Sequence, residues 1–401
     1  MDRADVVVVG GGQAGLATSH ELAQRGVEHL VLERGRVAQT WRSRWDSFCL
    51  VTPNWTVRLP GGAYDGDDPA GYMPRDAIVE HLERYAAGAP VREGTDVSSI
   101  ARTDEGFELT TSAGPLRARQ VVLSTGAYQR AHRPAAVTAI PPSLPVLDVD
   151  AYRSEATLPP GRVLVVGSGQ SGCQIAEELA EAGREVVLSC GRAPWVPRRI
   201  GGRDMVWWGL ATGFLDQRVE ELADPSERLA GNLLATGHGG GHDLSLRTLQ
   251  RGGVRLVGHL AGASGDELRF ATDLGATIAW ADERAERFFA LVRALAEREG
   301  IDVDLPAPGP FDDRSPDRIA MSDVGVVLLA SGFRPDYRSW LPWADAFDAD
   351  GFPLQAAGAS AVVPGLWFVG VHFLRKRKSS LLVGVGEDAA LVAAAIAGPA
   401  Q

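Results

Sequence analysis

Two segments of the chain spell nearly the same pattern: VVVVGGGQAGLATSHEL, beginning at Val6, and VLVVGSGQSGCQIAEEL, beginning at Val163. Each is a short β-branched run, then GxGxxG, then a helix-forming stretch. A sequence of this kind is confined to parallel βαβ units. The first glycine of each loop, Gly10 or Gly167, permits a tight turn. The second, Gly12 or Gly169, lets a pyrophosphate reach the backbone, and the third, Gly15 or Gly172, lets helix and strand pack closely. Gln13 and Ala14 complete the first loop, and Ser168, Gln170 and Ser171 the second. The helix start then offers free N–H groups and the positive end of its dipole to the phosphates. Two such loops predict an α/β chain with two nested Rossmann-like dinucleotide-binding domains.

The strands that follow the loops distinguish the two nucleotides. HLVLER carries Glu33 just past its apolar run, an acid placed to accept hydrogen bonds from an adenosine ribose. REVVLSCGR carries no acid at its end but has Arg192, which suits a ribose 2′-phosphate. FAD on the first loop and NADPH on the second are the expected pair, one resident and one exchanging. Arg198 and Arg199 read as a solvated basic turn.

The expected division is residues 1–155 and 321–401 for FAD and residues 156–320 for NADPH, with a helical insertion at about 195–320. The proline-rich PAAVTAIPPSLPVL reads as a linker, and residues 276–298 as a helix whose apolar residues recur at helical spacing. GHGGGH cannot be a steady helix, so His238 and His242 read as loop residues and not as a metal pair. His20 reads as a partly exposed helix residue, and 375–378 as a solvated basic loop. The three cysteines, Cys49, Cys173 and Cys190, form no CxxC pair and no ligand-like set. No metal site and no redox disulfide are expected. A net charge of −11 argues against a nucleic-acid-binding surface. With neither a basic leader nor a long apolar span in view, the expectation is a soluble cytoplasmic protein without membrane attachment. Oligomeric state is open.

Taken together, GGGQAGLATSHEL, QTWRSRWDSFCLVTPNW, VLVVGSGQSGCQIAEELA, LLASGFRPDY and HFLRKRKSSLLVGVGEDAA resemble the flavin-containing monooxygenase family, most closely its small bacterial branch. The resemblance spans nearly the whole chain. It implies that Trp41 and Arg42, with Gln39 and Thr52, lie beside the flavin. It places Gly370 against the flavin's phosphates and ribityl chain, and the turn holding Ser380 and Leu381 at its pyrimidine edge. Thr125–Gly126 and Ser331–Gly332 match small-residue turns where backbone passes the cofactors, and Asn54 becomes a candidate active-site amide. Trp55, Trp207 and Trp208 are candidate pocket walls, but each reads first as core or an interdomain contact.

The family's linking signature, FxGxxxHxxxY, is altered here. Tyr152 is in place, but Asp148 stands at the His, and Pro142 and Leu144 replace the Phe and Gly. The activity implied is that of an NADPH-dependent monooxygenase. It would use molecular oxygen to form a C4a-(hydro)peroxyflavin and would oxygenate a small amine, sulfide or ketone. The alternatives are an NADPH-dependent reductase or oxidase that inserts no oxygen, and a nucleotide-binding redox sensor.

Overall fold

The computed structural model describes residues 2–229 and 231–398. Both β-branched runs become buried parallel strands. Asp2–Val9 lies between His29–Leu32 and Gly114–Leu123, with Val8 opposite both Val31 and Val122. Leu366–Phe368 adds to the far side of Gly114–Leu123, and Val91–Arg92 to the far side of His29–Leu32. Val6, Val7 and Val8 have no exposed surface, as a strand covered on both faces requires. One face is covered by the loop helix Gln13–Gln24 and the closing helix Val385–Ala397.

The second sheet is wholly parallel, in the order Val146–Asp148, Val324–Leu329, Arg162–Val166, Val186–Ser189, Arg255–Val257. This order shifts two of the expected boundaries. Val324–Leu329, assigned to the first unit by the division at 321, pairs with Arg162–Val166 in the second sheet. Arg255–Val257, inside the expected insertion, forms the edge of that sheet. Short strands in mixed apolar surroundings carry no mark of which sheet they join; their partners decide it. The end of the proline-rich linker likewise becomes a strand, Val146–Asp148. The insertion's main helix runs Leu274–Glu299, and the expected stripe is its buried face: Ile278, Ala281, Ala285, Phe288, Phe289, Val292 and Leu295.

The chain crosses between the sheets twice. Arg130–Ala131 on the outward crossing pairs antiparallel with Phe333–Arg334 on the return. Both glycine loops consequently face one cleft between the sheets.

Candidate functional site

The cleft measures about 1400 Å³ and is lined from both sheets. At its first end, the glycines stand as the motif demands. A Cβ on Gly15 would lie 1.8 Å from the Gly10 carbonyl oxygen, and one on Gly10 would lie 2.4 Å from the Ser124 carbonyl oxygen. A Cβ on Gly12 would meet nothing within 4 Å. The second loop repeats this: Gly172 is closed by Gly167 at 1.9 Å, Gly167 by Ala330 at 2.5 Å, and Gly169 is open. In both loops the open glycine lines the cleft and the third glycine lies behind it.

Glu33, nearly buried, accepts from Gly11 N at 2.7 Å and Gly35 N at 2.9 Å, which fixes its carboxylate at the cleft wall. Trp41 Nε1 donates to Gln13 Oε1 at 2.8 Å, and Gln13 Nε2 donates to the Ser380 carbonyl at 2.8 Å. This relay ties the tryptophan segment, the first loop and the turn before the closing helix into one wall. Gln39, Thr52 and Leu381 line the same wall. Gly370 presses on Ala14, where a Cβ would come within 2.4 Å of the Ala14 Cβ.

In the second loop, the Ser168 hydroxyl donates to Gly191 O at 2.8 Å and accepts from Gly191 N at 2.9 Å, so it braces the loop against the next strand. Gln170 bonds both backbone groups of Ala235, Oε1 accepting from Ala235 N at 3.0 Å. Ser171 lines the cleft beside it. Arg192 is exposed at the rim, its guanidinium 5.7 Å from the Trp280 ring, with no carboxylate paired to it among the described residues. Thr125 and Gly126 both accept from Gln129 Nε2, at 2.9 and 3.0 Å. Ser331 and Gly332 occupy the matching turn of the other sheet. Ser124 and Ser331, one after each central strand, line the cleft, and their buried hydroxyls have no partner among the described residues. Open glycines, free helix starts and orphaned hydroxyls fit two dinucleotides, one on each sheet.

Three expectations fail. Arg42 does not line the cleft: its Nε donates to the Val37 carbonyl at 2.9 Å and its Nη2 pairs with Glu83. Asn54 also stays outside. Its Nδ2 donates to Asp68 O at 2.9 Å and its Oδ1 accepts from Met73 N at 2.7 Å, so the amide holds a loop together. Arg198 is not solvated but 2% exposed, ion-paired to Asp204 at 2.7 Å. Of the candidate tryptophans, Trp208 has no exposed surface and Trp55 and Trp207 pack in the insertion's core. The cleft is lined instead by Trp280 and Arg284. These two stand four apart on the helix and off its buried stripe, a spacing visible in the sequence. Asp148 closes its strand and takes Arg133 in a two-pronged pair at 3.0 and 2.7 Å.

His372, half-buried beside Gly370, has Nε2 2.8 Å from the Arg228 carbonyl. Burial pushes its pKa down to about 4, so the ring is neutral and Nε2 carries the proton. Cys173 and Cys190 are buried, and burial drives both thiols far above their ordinary range, which leaves no thiolate for redox work. Among the described residues no cluster of His, Cys, Asp and Glu is arranged to hold a metal. No helix among them is long and apolar enough to cross a membrane.

This fold and cleft define a nucleotide-dependent oxidoreductase of the FAD/NAD(P)-binding flavoprotein type. A family model described as pyridine nucleotide-disulphide oxidoreductase matches residues 7–201. The uncharacterized oxidoreductase CzcO-like of Geobacillus kaustophilus (strain HTA426) is 30% identical over 394 residues, 96% of each chain. Indole-3-pyruvate monooxygenase YUCCA1 of Oryza sativa subsp. japonica is 28% identical, over 96% of this chain and 90% of that one. A double mutant of the flavin monooxygenase from Stenotrophomonas maltophilia shares the fold, with a TM-score of 0.70 at 20% identity and 99% of each chain covered. The chain belongs to the flavin-containing monooxygenase family, and its CzcO-like relatives match 96% of its length.

Proposed function

We propose that this chain is an NADPH-dependent flavoprotein monooxygenase that takes molecular oxygen and a small amine, sulfide or ketone. One observation carries the reading: two equivalent glycine loops open onto one cleft, and no pair of cysteines stands between them among the described residues. FAD, when bound, supplies the hydride acceptance and the oxygen chemistry. The residues do the rest. Glu33 accepts from the FAD ribose, and the Gly10–Gly15 loop cradles its pyrophosphate. Arg192 takes the 2′-phosphate of NADPH at the rim. The 380–382 turn presents backbone to the pyrimidine edge of the flavin, where N–H groups favour negative charge. His372 remains neutral and adds no positive charge of its own, so that stabilisation falls to the backbone N–H groups. Met205, Val206, Phe214, Leu215, Leu233 and Trp280 give the cleft an apolar wall that keeps water from the reacting groups.

The test measures NADPH oxidation and hydrogen peroxide release side by side across a panel of amines, sulfides and ketones, under oxygen-18. A monooxygenase must show at least one compound that lowers peroxide release below NADPH consumption and acquires one labelled oxygen atom. Stoichiometric peroxide with every compound would make the chain a reductase or oxidase instead.

A further inference from the structure

The cradles account for the charged groups at their own ends, but Arg44 belongs to neither. It lies where the tryptophan segment leaves the first sheet and docks on the second. Its neighbour Trp45 is 3% exposed in the core around the second loop's helix. Ser47 Oγ donates to Glu178 Oε2 on that helix at 2.6 Å, and Arg153 Nη1 donates to the Ser43 carbonyl at 2.9 Å. The Arg44 side chain faces the cleft. Its guanidinium carbon is 5.8 Å from the centroid of the Phe48 ring and 5.1 Å from that of Tyr128, and Tyr128 leans on Phe333 at 5.3 Å.

What it lacks is an acceptor. Nε is sealed from solvent with no hydrogen-bond partner, and among the described residues no carboxylate is paired with the guanidinium. Two other cleft arginines with an orphaned Nε have carboxylates for their remaining nitrogens, Arg228 with Asp348 at 2.5 Å and Arg284 with Glu227 at 2.9 Å, whereas Arg192, also unpaired, stands exposed at the rim. A guanidinium cannot shed its proton to escape the low dielectric. Ring faces offset only part of the cost of burying it. Burial draws the Arg44 pKa downward, with Tyr128 and Asp150 opposing. A planar fork of donors, half-buried at the wall of a ligand cleft with its Nε sealed, is matched by a carboxylate or a phosphate.

We propose that Arg44 is the seat of an oxyanion that enters the cleft with a ligand, either a phosphate of the pyridine nucleotide or the carboxylate of an organic acid. The assignment rests on the functional reading above only in taking the cleft as the ligand site. The experiment uses FAD-loaded protein as wild type, Arg44→Gln and Arg44→Lys, with bound-flavin absorbance as the check of folding and occupancy. Each is titrated by calorimetry with NADP⁺, with phenylacetate and with uncharged phenylacetamide. If the anion is the nucleotide's phosphate, Arg44→Gln weakens NADP⁺ by about tenfold or more and leaves phenylacetate unchanged. If it is a carboxylate, phenylacetate weakens by that factor while NADP⁺ and phenylacetamide do not. Arg44→Lys keeps part of the affinity in either case. Unchanged affinities in Arg44→Gln, or a wild type that binds neither anion, overturn the proposal. A wild type that holds no FAD would instead overturn the functional reading.

Discussion

A methyl group at position 15 would lie 1.8 Å from the Gly10 carbonyl oxygen, whereas one at position 12 would touch nothing within 4 Å. The two glycines therefore do different work, although the motif shows them as equals. Gly15→Ala must push the loop helix off its strand, an overpacking that costs about 1–3 kcal/mol or more and lowers the melting temperature with or without FAD. Gly12→Ala, at φ −85°, strains nothing in the protein. It fills the space a pyrophosphate needs, so it should lower FAD affinity by about tenfold or more while the FAD-free melting temperature holds. Thermal melts of both variants, with and without FAD, decide the matter. A Gly12→Ala protein that binds FAD like wild type removes the first loop as its seat. Residue by residue, the sequence shows what the backbone must do at these loops and little of where long side chains end. Arg42 and Asn54 stand in the right segment, yet nearby acceptors, Val37 O and Asp68 O, turn them from the cleft.

At the scale of elements, the basic run 375–378 shows where pattern reading stops. Four cations in a row suggest a solvated loop, but the acids that pair with three of them are nine or more residues away or in another part of the fold. Lys376 and Lys378 both pair with Asp216, from the insertion, and with Glu387, in the first turn of the closing helix. Arg375 Nε donates to Asp388 Oδ1 at 2.6 Å, and Asp388 is 2% exposed. The helices Gln13–Gln24 and Leu274–Glu299 are legible because their periodicity is local. An ion-pair latch is not, because its partners meet only after the sheets form.

Arg375→Ala leaves the Asp388 carboxylate buried and unpaired, a loss of about 3–5 kcal/mol. Burial already raises the Asp388 pKa above its ordinary value even with Arg375 present. The folded state of the variant then holds a proton that the unfolded state releases, so its stability declines as pH rises above the unfolded carboxylate range. Denaturant unfolding should show a smaller penalty at pH 5 than at pH 8, and Asp388→Asn in the same chain should recover most of it. An equal penalty at both pH values, with no recovery, would mean that the pair is not what holds the closing helix.

On the scale of the whole molecule, the nested order was legible from two loops and their spacing, but the seam between the sheets was not. Its residues are short, mixed in character and paired across some 200 positions. At that seam Gln129 joins both crossings: its Nε2 donates to Thr125 Oγ1 and Gly126 O, and its Oε1 accepts from Asp336 N at 2.7 Å. The antiparallel pairing of Arg130–Ala131 with Phe333–Arg334 continues the tie, and His132 N reaches Gly332 O at 2.8 Å. On the proposed reading each nucleotide is cradled by its own sheet, whereas the approach of one to the other depends on how the sheets are seated. Gln129→Ala cuts the tie without touching either glycine loop. It should leave FAD occupancy and the NADP⁺ dissociation constant within about threefold of wild type, because the cradles are intact. Hydride transfer, read as anaerobic bleaching of the flavin by NADPH, should slow by about tenfold or more, since a misplacement near 1 Å can cost that much and beyond. Slower bleaching explained wholly by weaker NADP⁺ binding would assign Gln129 to a cradle. Unchanged bleaching would mean that the two sheets are held in register by the ribbon and the 375–378 latch without it.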